Sequence, residues 1–305
     1  MRSNSGSGLS ARMLRRWHEA GHFATFVLPG LLVFTAIVFV PILWTLFIGL
    51  TNERATRPNT AFTGLDNHLA LLVSSSFLQV LLNTVIISVI VVVGTNVLGL
   101  SIALLLRRQH WLYSALRSVF FAPVILSSVV VAVIWRSLLV DDGLLNSVLR
   151  SLGVENPPGW LSDPSIALYA VSWILVWQML GFAVVVYLAG LAGVPRELDE
   201  AAEIDGAGPV ARFRYITWPL LAPSCTINTV MLMISSFKVF DQIAVLTNGG
   251  PGSRATATIA FEVVRTAFTE QRAGYASAMA SLMLLIIAVA SVVVLRLLQR
   301  REVTY

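Results

Sequence analysis

Six stretches of this chain carry no Asp, Glu, Lys or Arg through their centres, at roughly 24–50, 78–106, 118–138, 165–192, 216–237 and 274–295. About 20 mostly apolar residues cross the hydrocarbon core of a bilayer, and one charge at the centre of such a helix costs ~2.5–3.5 kcal/mol. The pattern predicts an all-α integral membrane protein with six transmembrane helices. Only 12% of the 305 residues are charged and 56% are hydrophobic, against roughly 25% charged in soluble domains, so an ordinary soluble enzyme is excluded. The first stretch follows Arg12, Arg15 and Arg16, but it is far longer than the ~7–15 apolar residues of a secretory signal. It reads as a retained span.

Orientation comes from the basic residues. With both termini on one side, that side and the loops near 107–117 and 193–214 hold 13 of the 21 basic residues, against 8 on the other. The excess predicts that both termini are cytoplasmic. The organisation is then a tail at 1–22, a six-helix domain at 23–295 that contains a cytoplasmic loop at 193–218, and a tail at 296–305. The segment between spans five and six carries four of the eight opposing charges and a Gly-Gly-Pro turn. It is long enough for partial re-entry or an interfacial helix.

Several chemistries lack their residues. Cys225 is the only cysteine, and His18, His22, His68 and His110 show no ligand-pair spacing, so no metal site is expected. Intramembrane acids or bases mark proton relays and ion-coupled carriers, and the span centres have none. A phosphate-cradling P-loop needs Gly-x-x-x-x-Gly-Lys followed by Ser or Thr; the only lysine, Lys238, lies between Phe237 and Val239. Any ATP hydrolysis therefore belongs to another chain. Asp141-Asp142 is the one adjacent acidic pair outside the 193–218 loop; it suits a solvated turn before Gly143, or less simply an interfacial enzyme acting on lipid-linked substrates. Pro29, Pro41, Pro123, Gly94, Gly99 and Gly181 fall in the spans, where packing, kinking and gating hinges are all open to them.

The 193–218 loop carries five of the sixteen acids between Glu197 and Asp205. Pro195 suits a first helical position, and Glu197, Asp199 and Glu200 complement the positive pole of a helix dipole. Gly206 fits a left-handed helix end and Pro209 a second start, so the sequence predicts a helix-turn-helix. Leu198, Ala201, Ala202 and Asp205 share one narrow face, while Glu200 and Glu203 can pair with bases on the rim of a partner's groove.

Glu200-Ala201-Ala202, Gly206, Ile216 and Pro219 follow the order of the cytoplasmic signature of permease subunits in binding-protein-dependent ABC importers, and the chain resembles that family. Asp205-Gly206-Ala207 is similar to its carbohydrate-uptake branch; Trp218 stands where the family usually has leucine. Phe62 to Asn67 resembles the family's Gly-Leu-x-Asn-Tyr element, with His68 in the tyrosine position. Phe240-Asp241, Leu246 to Pro251, and Gly274 to Ala278 resemble further family stretches, the second of them typical of the first permease in maltose- and glycerol-phosphate-type importers.

The resemblance implies a transport subunit that is not an enzyme. It makes Glu200, Ala201, Ala202, Glu203, Asp205, Gly206, Ala207 and Pro219 the coupling element to an ATPase subunit. Its implied partners are a second permease in a heterodimer, two nucleotide-binding subunits and an external solute-binding protein, with loop 139–164 and the segment before span six as surfaces for the last. No cofactor resides on this chain, while ATP and magnesium belong to the ATPase. Sugars are gripped by aromatic faces and hydrogen bonds, which makes Trp173, Trp177, Gln178, Tyr187, Asn228, Ser235 and Ser236 candidates for the path. Each also has an ordinary use, as an interfacial anchor or an inter-helix bond. A polyol or glycerol phosphodiester is an alternative cargo, and a secondary carrier an alternative class.

Overall fold

The computed structural model describes residues 25–54, 60–107 and 110–300. The tail at 1–22 and residues 301–305 lie outside this description. Every described element is helical apart from one isolated bridge between Thr51 and Phe62.

Four helices are long and apolar enough to cross a membrane unbroken: α1 (Thr25–Ile48), α3 (Ser75–Leu105), α7 (Ala167–Ala192) and α13 (Ala273–Gln299). Between the first two lies the short α2 (Asp66–Leu72). The other two apolar stretches are broken. In the third, α4 (Trp111–Ile125) is followed by α5 (Ser128–Leu139), and the chain over Ser128–Ser151 is bent by 99° from α4. Leu126 and Ser127 are both extended, with ψ of 142° and 139°, and Pro123 leaves a gap in the donors of the last turn. In the fifth, α9 (Pro209–Leu220) and α10 (Ala222–Phe237) meet at 62°. Pro219 and Pro223 lie on either side of Leu221 there, one turn apart, and neither can donate an i→i−4 bond. Counting each bent pair as one crossing gives six spans, the expected number, with two of them angled.

α3 and α7 form the centre and pack on each other more extensively than any other pair. Both are apolar nearly all round, so small and polar side chains mark the inward face. On α3 that face runs Val80, Asn83, Thr84, Ile87, Ser88, Val91, Thr95, Gly99 and Ala103, at helical spacings of three and four. α4 lies across α7, and Gly181 is the reason it can: a β-carbon there would overlap the Phe120 carbonyl oxygen. Close backbone approach at small residues is how membrane helices gain dispersion contacts when lipid offers no hydrophobic drive to associate.

α10 packs against both α3 and α13. Beyond it the chain forms α11 (Asp241–Leu246) against α5, then a turn-rich segment, then α12 (Ile259–Val264) with a wider turn over Arg265–Thr269. These elements cap one end of the bundle. α6 (Leu144–Ser151) and α8 (Arg196–Ile204) complete the set, with α8 and α9 at the opposite end. α1 has no buried residue and packs mainly on α13.

Candidate coupling loop and interior polar pairs

The helix-turn-helix forms between α8 and α9. Pro195 is the residue before α8, with an extended ψ of 131°, and Arg196 rather than the proline takes the first helical position. The helix ends in a Schellman motif. Ala207 N–H donates to the Ala202 carbonyl at 2.9 Å and Gly206 N–H to the Glu203 carbonyl at 3.0 Å, satisfying two orphan acceptors. Gly206 has φ of +80° and open space where a side chain would stand, so backbone conformation and not crowding requires glycine. Gly208 then precedes Pro209, which opens α9.

Arg212 fixes the angle between the two helices. Its guanidinium donates to Glu203 Oε2 at 2.6 Å and lies 3.7 Å from Asp199 Oδ1. Glu203 is therefore engaged within the chain, whereas Glu200, Ala201 and Asp205 are exposed and Ala202 and Ala207 half-buried. Ile204, 87% exposed, joins Leu198 in giving this acidic surface an apolar part. Pro219 is half-buried in the last turn of α9. The surface is thus a charged, partly apolar knob held rigid from behind.

The path candidates fall into two groups. Four are engaged between helices. Tyr187 O–H donates to Asn96 Oδ1 at 2.6 Å. Asn228, fully buried, donates to the Ala183 carbonyl at 3.4 Å. Ser236 donates to Ser88 Oγ at 2.8 Å. Gln178 Oε1 accepts from Gln242 Nε2 at 2.9 Å. These bonds cross between α3, α7, α10 and α11 and position the helices in this conformation. The other three, Trp173, Trp177 and Ser235, are exposed on the bundle. Trp177 meets Trp135 of α5 edge to face, with ring centroids 5.4 Å apart.

The family-like stretches at the other end converge in space. Asn67 donates to the Gly49 and Thr51 carbonyls at 3.0 and 2.7 Å, and Gly274 N–H donates to the Glu53 carbonyl at 2.9 Å. The Gly-Gly-Pro segment is pinned by Asn83, which donates to the Arg254 and Ala257 carbonyls at 2.8 and 3.1 Å. Arg254, in a left-handed conformation with φ of +60°, reaches Glu262 Oε1 at 2.9 Å. Glu262 also receives Arg265 at 3.3 Å, and its side chain is only 7% exposed. No reading of the sequence singled out Asn83, Asn96, Arg212 or Glu262; the one available signal was a polar residue recurring on the inward face of an apolar helix. Among the described residues no group of three or more His, Cys, Asp or Glu is placed to hold a metal.

The described chain is thus a helical bundle with two angled joints and an acidic helix-turn-helix at one end. Residues 95–303 match the family described as the binding-protein-dependent transport system inner membrane component. A probable ABC transporter permease of Pyrococcus horikoshii is 34% identical, over 89% of this chain and 94% of its own length. The probable starch degradation products transport system permease protein AmyD of Thermoanaerobacterium thermosulfurigenes is 32% identical over 91% and 94%. The trehalose/maltose transport system permease protein MalF of Thermococcus litoralis is 34% identical over 82% and 84%. In fold, the chain is similar to one from a bacterial ABC transporter involved in the import of the acidic polysaccharide alginate, with a TM-score of 0.82 at 20% identity, covering 95% of this chain and 99% of that one.

The chain belongs to the binding-protein-dependent transport system inner membrane component family. It is a multi-pass inner-membrane permease subunit, and the ATPase of such a transporter resides in a separate subunit.

Proposed function

We propose that this chain is one half of the translocation path of an ATP-driven importer for a sugar or sugar-like solute. The observation that carries the reading is the family match over residues 95–303, which takes in the helix-turn-helix and both bent spans; relatives named for starch products and for trehalose and maltose give the cargo class. The partners are a second, related permease, two nucleotide-binding subunits that hold ATP and magnesium, and an external solute-binding protein. A polyol or glycerol phosphodiester would travel the same way.

In this reading the knob formed by Glu200, Ala201, Ala202, Asp205, Gly206 and Ala207 sits in a cleft of the ATPase subunit. The in-chain bonds of Glu203 and Asp199 to Arg212 and the Schellman turn keep the knob from yielding, so closure of the ATPase pair displaces α7 and α10 instead of deforming the loop. The two angled joints, at Leu126-Ser127 and at Leu221, are where such a displacement can be absorbed. Trp173, Trp177 and Ser235 are open to a solute or to the second permease, while Gln178, Tyr187, Asn228 and Ser236 hold helix positions and become available only if the helices part.

The test is coupling in the reconstituted complex. Glu200→Lys reverses charge on the knob, and Gly206→Pro forbids its left-handed turn; both should insert normally yet lose stimulation of ATP hydrolysis by loaded binding protein. Wild-type stimulation in both variants overturns the reading. Orientation is tested separately. In a Cys225→Ser background, a cysteine placed at Asp205 should resist a membrane-impermeant thiol reagent added outside intact spheroplasts and react after lysis. Labelling from outside would reverse the assignment of both termini to the cytoplasm.

A further inference from the structure

At the coupling-loop end, a groove of about 660 Å³ opens between the end of α3, the start of α4 and the two loop helices. Its walls are of two kinds. Leu104 and Leu105, the last residues of α3, with Val210 and Phe213 of α9, form an apolar side; Arg107, Tyr113 and Arg212 form a polar one. Arg117 braces the wall from behind by donating to the Leu106 carbonyl at 3.2 Å.

The two arginines in the groove differ in what they can still bind. Arg212 is committed to Glu203 and Asp199, and Asp199 itself lines the groove. Arg107 makes no ion pair among the described residues and is exposed. The Tyr113 hydroxyl likewise has no hydrogen-bond partner among the described residues. The groove therefore offers one uncompensated guanidinium and one unused phenol above an apolar floor. It lies where α3 leaves its apolar run, and Leu105, 72% exposed, continues that floor onto the lipid-facing surface of the helix.

We propose that this groove seats the headgroup of an anionic phospholipid, with the phosphate at Arg107 and Tyr113 and the first methylenes of an acyl chain along Leu104, Leu105 and Val210. Charge selects an anion, and a guanidinium with a neighbouring hydroxyl donor suits phosphate oxygens. The adjoining apolar wall, continuous with the hydrocarbon-facing side of α3, selects a lipid over a free phosphate. Basic pockets between transmembrane helices at a membrane surface bind anionic headgroups by this combination. The lipid would bridge α3 to α9 and so tie the coupling loop to the membrane plane.

The experiment uses the full chain in nanodiscs of phosphatidylcholine with a minor fraction of phosphatidylglycerol, released into detergent and read by native mass spectrometry for retained lipid. The wild-type chain should keep phosphatidylglycerol in preference to phosphatidylcholine. Arg107→Gln should weaken that retention about fivefold, as expected for loss of one basic contact at a membrane surface. Arg296→Gln removes an arginine at the end of α13, outside the groove, and should leave retention unchanged. Val210→Asp keeps both groove donors but sets a carboxylate against the phosphate, and should expel the lipid; it also serves if Arg107→Gln fails to fold. Equal retention of both lipids by wild type, equal losses in the Arg107 and Arg296 variants, retention by Val210→Asp, or displacement of phosphatidylglycerol by inorganic phosphate would each overturn the proposal.

Discussion

Arg212 shows what a single side chain contributes that no spacing rule would reveal. Its partner Glu203 lies nine positions earlier, across a turn, so the pairing depends on the turn closing before the ion pair can form. Gly206 and Pro209 were legible because their backbone preferences are intrinsic to the residue type; Arg212 was not, because its role is a property of two helices. Arg212→Ala should leave both helices formed and loosen the angle between them. Partly exposed ion pairs contribute up to about 1 kcal/mol. Amide hydrogen exchange across 196–212 should therefore quicken by up to roughly fivefold, and unchanged exchange would deny the arginine this role. Tyr187→Phe probes the interior in the same way: losing one inter-helix hydrogen bond should cost about 0.6 kcal/mol in detergent-denaturant unfolding.

At the scale of elements, counting charge-free windows located the spans but not their shapes. The third and fifth windows satisfied length and hydropathy, yet each breaks where proline withholds donors or consecutive residues turn extended. Pro123 was visible as a residue, with a packing, kinking or hinge role left open; the 99° angle beside it also depends on what α5 finds to pack against, which is α11 from a distant part of the chain. From its length the segment between spans five and six was readable as partly re-entrant or as an interfacial helix, and by resemblance as a family stretch, but not how it is held. Its order comes from Glu262 and Asn83, one binding two arginines and the other two carbonyls. Glu262→Gln would strip Arg254 of its counter-charge and leave Arg265 with Glu270 alone, 3.6 Å away. Breaking a fully buried pair costs ~3–5 kcal/mol, but these arginine side chains are 33% and 40% exposed, so about 2 kcal/mol is expected. The loss should appear as lowered resistance to denaturant, with faster proteolysis within 247–258. Wild-type behaviour in both assays would mean the segment is held without Glu262, by Asn83 and the segment's own bonds.

For the molecule as a whole, the joint between α2 and α13 carries a pH dependence. His68 Nε2 lies 2.8 Å from Ser281 Oγ, and that hydroxyl already donates to the Ala278 carbonyl. The ring must therefore donate from Nε2, leaving Nδ1 buried and without a partner. Burial lowers the His68 pKa below its ordinary 6.5. A group with a depressed folded value supports the fold above its unfolded value and withdraws that support as pH falls through the folded one. Thermal stability in detergent should thus hold above about pH 6.5 and decline on acidification, and His68→Gln should flatten that part of the profile. An identical acid decline in the variant would place the sensitivity elsewhere.

That joint also has a consequence for biosynthesis. α1 buries nothing against its early neighbours and rests mainly on α13, whose Ser281 follows His68 by 213 residues. During translation α1 must therefore wait in the bilayer, held by local bonds such as those from Asn67, until the ribosome has delivered α13. Closure of the bundle is a late event by geometry, and the interval before it is when α1 is open to lipid, to insertion factors or to a neighbouring subunit.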